Sequence, residues 1–203
     1  MLHSFLPKLV LLCVLLCDVN AVKKCYNLKK DGLVPTYVDK VTPQCKVKFS
    51  KDVSAKCGNK LLFGATATEP TIKFNLPQRN CINGTIISID PDAIGVTPPF
   101  LHELATNIPK ECLKEGYNSN TCKAGDLQAP FVSPGGSDHR YLFCVYCQNK
   151  YIEPHHYDFF ADFRMGFDMK EYARNHNLSI KACNFFRLEF VPAVTNASSV
   201  LNS

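Results

Sequence analysis

Pro134-Gly-Gly-Ser-Asp-His-Arg-Tyr141, running on into Leu142-Phe-Cys-Val-Tyr-Cys-Gln148, is the stretch that decides the fold. Its first half is a tight polar loop with two glycines, and its second half is a dense run of β-formers that reads as a buried strand. Alternation along that strand puts His139, Tyr141, Phe143, Val145 and Cys147 on one face and Arg140, Leu142, Cys144 and Tyr146 on the other. A histidine and a tyrosine therefore share a face where a glycine loop enters a sheet. Glycine lets backbone N–H groups approach a ligand closely, and such groups suit an anion. The same pattern also fits a structural loop feeding a core strand.

Outward from this strand the chain stays β-rich. Thr71 to Phe74, Thr85 to Ile89 and Leu101 to Ile108 read as strands separated by Pro, Asn and Gly, and Asn184 to Phe190 reads as a return strand. One helix is signalled near the end: Asp168 is its N-cap, Glu171 completes a capping box, Phe167 staples to Tyr172, and Asn177 is a left-handed stop. Thr195 to Ser203 reads as a loose polar tail.

Residues 1–21 carry the pattern of a signal peptide: Lys8, an apolar run from Leu9 to Cys17, and the small-residue site Val19-Asn20-Ala21. The apolar run is shorter than the ~20 residues a membrane-spanning helix needs. The expected product is secreted or lumenal and not membrane-spanning, with residues 22–203 as one domain. The net charge of +5 is spread without a basic block, which argues against nucleic-acid binding. Of eleven cysteines, nine lie beyond the leader, and most of these should pair in an oxidising compartment. Cys112 and Cys122 flank a short polar loop and are expected to bond to each other. Cys144 and Cys147 point to opposite faces of one strand, so they should not bridge each other. The odd count implies a free thiol, expected among Cys144, Cys147 and Cys183 because these sit in core-strand patterns. Glycosylation sequons stand at Asn83, Asn177 and Asn196, expected in exposed turns.

Polar residues at strand ends supply the candidate site. Asp90-Pro-Asp92-Ala93 ends one strand, His102 lies early on the next, and His139 and Tyr141 open the central one. Two carboxylates, two histidines and a phenol can build a small polar pocket. A catalytic reading is weaker: Gly-Gly-Ser137-Asp-His139 lacks the G-x-S-x-G elbow, and no histidines stand at i, i+4 to hold a metal. His155 and His156 read as a surface pair in a loop. No enzyme activity, cofactor or metal is expected.

These blocks, in this order, resemble the phosphatidylethanolamine-binding protein (PEBP, Raf-kinase-inhibitor-like) family. The resemblance is carried by Asp90-Pro-Asp-Ala93, Phe100-Leu-His102-Glu-Leu-Ala-Thr-Asn107, His139-Arg-Tyr141 with Tyr146 and Gln148, Phe167-Asp-Met-Lys-Glu-Tyr-Ala173, and Ala182-Cys-Asn-Phe-Phe186. It extends from about Leu33 to Pro192 and is nearest to the family's secreted, cysteine-containing branch. The resemblance implies a mainly β fold: a large central antiparallel sheet, a smaller second sheet and a few peripheral helices. It also implies a shallow anion pocket for phosphate or phospholipid head groups, formed by Asp90, His102, His139 and Tyr141 and supported by Asp92 and Arg140. The alternative it implies is an interaction protein, a protease inhibitor or signalling modulator with a protease or receptor as partner and a vestigial pocket.

Departures from the family pattern fall around that pocket. Ile94-Gly95 follows the Asp-Pro-Asp-Ala block, Glu103 replaces an aromatic after the first pocket histidine and is expected to add a charge, Val132-Ser133 replaces two prolines, and Thr195 stands where a tyrosine is usual. Since an unperturbed histidine titrates near ~6.5, anion binding is expected to strengthen as pH falls towards about 6. Truncating His139 is expected to leave folding intact.

Overall fold

A computed structural model of the chain describes residues 23–155 and 164–190. The leader, the sequon at Asn196, His156, Thr195 and the tail lie outside them. Eight strands and three α-helices follow in the order α1 (Asn27–Lys30), β1 (Lys46–Lys48), β2 (Asn59–Leu62), β3 (Thr71–Lys73), β4 (Asn83–Asp90), β5 (Phe100–Pro109), α2 (Lys110–Glu115), β6 (Asp126–Ala129), β7 (Arg140–Gln148), α3 (Met169–Asn175) and β8 (Ser179–Glu189). The fold is mainly β, with a six-stranded sheet in the order β2-β8-β7-β4-β5-β6 and a two-stranded sheet of β1 and β3. Every pairing in the large sheet is antiparallel except that of edge strand β2 with β8.

Central strands β4 and β7 are covered on both faces, which is why they read as near-continuous apolar runs. One apolar layer contains Ile87, Ile89, Leu142, Cys144 and Tyr146 under Leu28, Leu33, Met169 and Tyr172. The other contains Ile86, Tyr141, Phe143, Val145 and Cys147 under Val47, Ile72, Leu113 and Tyr117. The two layers follow the alternation read from β7.

Local sequence chemistry fixes α3. The Asp168 carboxylate accepts the backbone N–H groups of Lys170 and Glu171, both at 2.9 Å, and Phe167 packs on Tyr172 with ring centroids 5.6 Å apart. Asn177 takes the left-handed conformation beyond the helix end, at φ 52°. Strand β8 begins at Ser179, five residues before the expected start, because its polar first residues gain a ladder from β7 that their composition does not announce.

The structure pairs Cys25 with Cys57, Cys81 with Cys147, Cys112 with Cys122 and Cys144 with Cys183. The free cysteine is Cys45, which corrects the expectation of a free thiol among Cys144, Cys147 and Cys183. Register explains the difference: Cys144 and Cys183 face each other across β7 and β8, and Cys147 lies at the end of β7 beside the loop that carries Cys81. Cys45 is buried, its thiol directed at the Phe143 carbonyl, and burial pushes its pKa up to about 12. Asn83 is also corrected, since it opens β4 half-buried rather than in an exposed turn, whereas Asn177 is exposed.

Glu103 is fully buried on β5 and its carboxylate oxygens have no hydrogen-bond partner among the described residues. Burial, reinforced by the Glu69 charge, raises its pKa well above the usual carboxylate value. It therefore holds its proton where a surface glutamate is ionised, which corrects the expectation of an added charge.

Two outcomes follow from these buried groups. The folded chain holds the Glu103 proton to a pH at which the unfolded chain has lost it, so the group's contribution to stability falls as pH rises above about 4.3. The melting temperature of Glu103→Gln relative to the parent should therefore rise from pH 4 to pH 8; a difference that is flat in pH would contradict the burial. Thiol labelling of the folded secreted protein should find no reactive cysteine from Cys25 to Cys183, and denaturation without reduction should expose one, mapping to Cys45.

Candidate functional site

Topology brings together three segments that are far apart in sequence. Strand β4 lies between β7 and β5 and is antiparallel to both, so its last residue, Asp90, meets the first residues of β5 and the residues entering β7. The register of β4 on β5 shifts there: Ser88 faces Glu103 and Ile89 faces Leu101, which leaves His102 as the extra residue of a β-bulge. A bulge re-aims a side chain, and this one turns both His102 and Glu103 towards the second apolar layer. Glu103 reaches Tyr117, while His102 packs edge-on to Tyr141 with ring centroids 5.1 Å apart.

The result is an open cavity of about 540 Å³ lined by Asp90, His102, His139 and Tyr141, with Phe100, Ile94 and the loop residues Val132, Ser133, Gly135, Gly136 and Ser137 around them. All four expected binding residues are thus brought together. His139 donates from Nδ1 to Asp90 Oδ2 at 2.8 Å, and the other Asp90 oxygen accepts the Asp92 backbone N–H at 2.8 Å. His102 donates from Nδ1 to the Val132 carbonyl at 2.6 Å. The Tyr141 hydroxyl accepts the N–H groups of Gly135 and Gly136 at 3.0 and 2.9 Å, so these groups are not free for an anion as the glycine loop suggested. Burial raises the Tyr141 pKa to about 12, and the Asp90 charge acts in the same direction. His102 is held below the ordinary histidine value, chiefly by burial, with the charges of Arg164 and His139 adding to it. It therefore does not contribute to a pH response between neutrality and pH 6.

Asp92 and Arg140 stand behind the cavity. Arg140 donates its backbone N–H and Nε to Asp92 Oδ2 at 2.8 and 2.7 Å, closes a fork from Nη2 to Oδ1 at 2.5 Å, and donates from Nη1 to the Asp31 carbonyl. Burial alone raises the Asp92 pKa, but the hydrogen bonds and charge of Arg140 outweigh it and hold the carboxyl below its usual range. A second supporting residue has no sequence signal. Arg164 is buried and donates to the carbonyls of Leu101, His102 and Pro130, tying the bulge on β5 to the chain beyond β6. Gly136 is the third: a Cβ there would stand 2.0 Å from His139 Nδ1, whereas one on Gly135 would meet nothing within 4 Å. His155 is exposed and lies outside the cavity lining.

A second cleft, of about 600 Å³, lies on the other face of the sheet between α3 and the Tyr37–Asp39 segment. Its cation Lys170 is paired with Asp39 at 2.7 Å, and it lacks a comparable convergence of histidine and carboxylate.

The sequence profile described as phosphatidylethanolamine-binding protein matches residues 39–185. The chain belongs to this family. Among solved structures it is similar to the phosphatidylethanolamine-binding protein of Plasmodium falciparum, at 22% identity and TM-score 0.64, covering 84% of this chain and 99% of that one. The protein of that name from Plasmodium vivax gives the same TM-score of 0.64 at 16% identity over 83% of this chain and 98% of the other. A carboxypeptidase Y inhibitor, solved in complex with its cognate proteinase, matches with TM-score 0.59 at 19% identity, covering 82% of this chain and 95% of that one. Among curated proteins the chain is 31% identical over 122 residues to the 26 kDa secreted antigen of Toxocara canis. That alignment spans 58% of this chain and 44% of the antigen, so the chain matches less than half the length of this relative.

The Gly136 contact gives a paired test. Alanine at Gly136 must displace the His139 ring or the loop, at a cost of about 1–3 kcal/mol for overpacking. Gly136→Ala should lower the melting temperature by several degrees and shift the His139 ring resonances in NMR spectra. Gly135→Ala should do neither.

Proposed function

We propose that the protein is a secreted, non-catalytic binder of phosphate-bearing groups, including phospholipid head groups, through the cavity formed by Asp90, His102, His139 and Tyr141. The observation that carries this reading is that two histidines border one open cavity with Nδ1 anchored to the protein, leaving each Nε2 for a ligand. Asp92, Arg140 and Arg164 act as support. The leader, the four disulfides and the secreted antigen among its relatives support an extracellular setting. The sequons at Asn83, Asn177 and Asn196 are proposed acceptors, with Asn177 the most accessible described one.

A second reading draws on the likeness to a carboxypeptidase Y inhibitor: an interaction protein whose partner is a protease or a receptor. In that case the partner's affinity would be unchanged by substitution of both pocket histidines.

Calorimetry with inorganic phosphate tests the first reading. A charge-assisted hydrogen bond is worth about 1.5–3 kcal/mol, so His139→Ala and His102→Ala should each weaken binding by roughly 10- to 100-fold. His139→Ala should also lower the melting temperature, contrary to the expectation from sequence, because His139 and Asp90 are only 8% and 3% exposed and the variant leaves a buried carboxylate without its partner. His102→Ala serves as the second arm, since it leaves the His139–Asp90 bond in place. Equal affinity in both variants, or no binding by the parent, would overturn the reading.

A further inference from the structure

We infer that the pocket takes its phosphate as a proton-bearing monoester, with the ligand's own P–OH donating to a histidine Nε2. This rests on the anion-site reading above and follows from counting donors. The Val132 carbonyl can only accept, so the His102 proton sits on Nδ1 and the neutral ring turns a lone pair outward from Nε2. His139 is bound in the same sense to Asp90, so its neutral ring also offers Nε2 as an acceptor. The Gly135 and Gly136 N–H groups are spent on Tyr141, whose own proton is turned towards Asp90. No lysine or arginine is among the described residues lining the cavity. The nearby guanidinium of Arg140 is tied to Asp92 and Asp31, and that of Arg164 to three carbonyls.

An ionised phosphate entering this cavity meets two lone pairs and the Asp90 carboxylate. A phosphate that keeps one proton matches a lone pair with a donor. The hydroxyls of Ser133 and Ser137 border the cavity and can serve any phosphate, so they do not separate monoesters from diesters. The alternative route, protonating His102, works against its surroundings: burial lowers its pKa, and the charges of Arg164 and His139 oppose a further positive charge, against the single favourable carboxylate of Asp90. A diester has no P–OH to offer and is left with that route.

The second ionisation of a phosphomonoester lies near pH ~6. If only the protonated form binds, affinity should fall roughly tenfold per pH unit above about 6, with uptake of close to one proton per ligand at pH 7.5. Calorimetry on the full secreted chain, in two buffers of different ionisation enthalpy, would compare methyl phosphate with dimethyl phosphate. Methyl phosphate should bind at least about tenfold more tightly at pH 7, a difference of ~1.4 kcal/mol. Dimethyl phosphate within about twofold of it, the same pH slope for both, or no proton uptake would overturn the inference while leaving an anion site. Binding of neither probe would overturn the anion-site reading itself. Phosphatidylcholine vesicles with and without phosphatidic acid separate the sources: selective binding to phosphatidic acid supports a membrane monoester, and methyl phosphate binding without it supports a soluble one.

Discussion

Strand β4 is buried on both faces and hydrogen-bonded on both edges, and its ladders to β5 and β7 place the functional groups. Its last residue, Asp90, is where this constraint becomes chemistry. One carboxylate oxygen holds the His139 ring and the other caps the turn that presents Asp92. Asp92 then holds Arg140, which begins the neighbouring strand one residue after His139. The pocket is thus braced by hydrogen bonds between adjacent sheet strands, which is a stiffer arrangement than a site built on loops alone.

The rest of the sheet is tied by amides that satisfy each other completely. Gln148 accepts from Thr85 and from the Asn107 backbone while donating to the Asn107 carbonyl oxygen, which joins β4, β5 and β7 at the end opposite the cavity. Asn184 bonds the backbone of Cys45, Ala55 and Cys57 and so fastens the N-terminal segments to β8. Against this background the unpartnered Glu103 stands out. It occupies the position after the bulge, so the irregularity that aims His102 into the cavity also commits a carboxyl to the interior.

Anion recognition in this pocket does not use the common device of free backbone N–H groups and a basic side chain. The glycine loop serves the protein: Gly136 makes room for the His139 ring, and both glycine N–H groups hold Tyr141. What remains for a ligand is a pair of ring nitrogens of fixed tautomer, whose preference is set by carbonyl and carboxylate partners behind them.

Several features were legible in the sequence because they depend on local order alone. The two faces of β7 follow from period-two alternation, the α3 start from Asp168 and Phe167, the left-handed stop from Asn177, and the spatial meeting of Asp90, His102, His139 and Tyr141 from motifs whose order matches a family pattern. Other features arise only when strands pair. The bulge at His102 is a mismatch of register between β4 and β5, the Cys144–Cys183 bond is a register match between β7 and β8, and the free thiol falls to Cys45 by that same pairing. The short strands β1, β2 and β6 exist because a neighbour supplies their ladder. Arg164 acts on carbonyls that only the assembled sheet brings within reach, and the histidine tautomers are set by acceptors 30 and 49 residues away in sequence. The sequence determined which groups the protein carries and which way each strand faces. The tertiary structure alone decided which donors are spent and which remain, because a hydrogen bond's partner is a matter of distance in space.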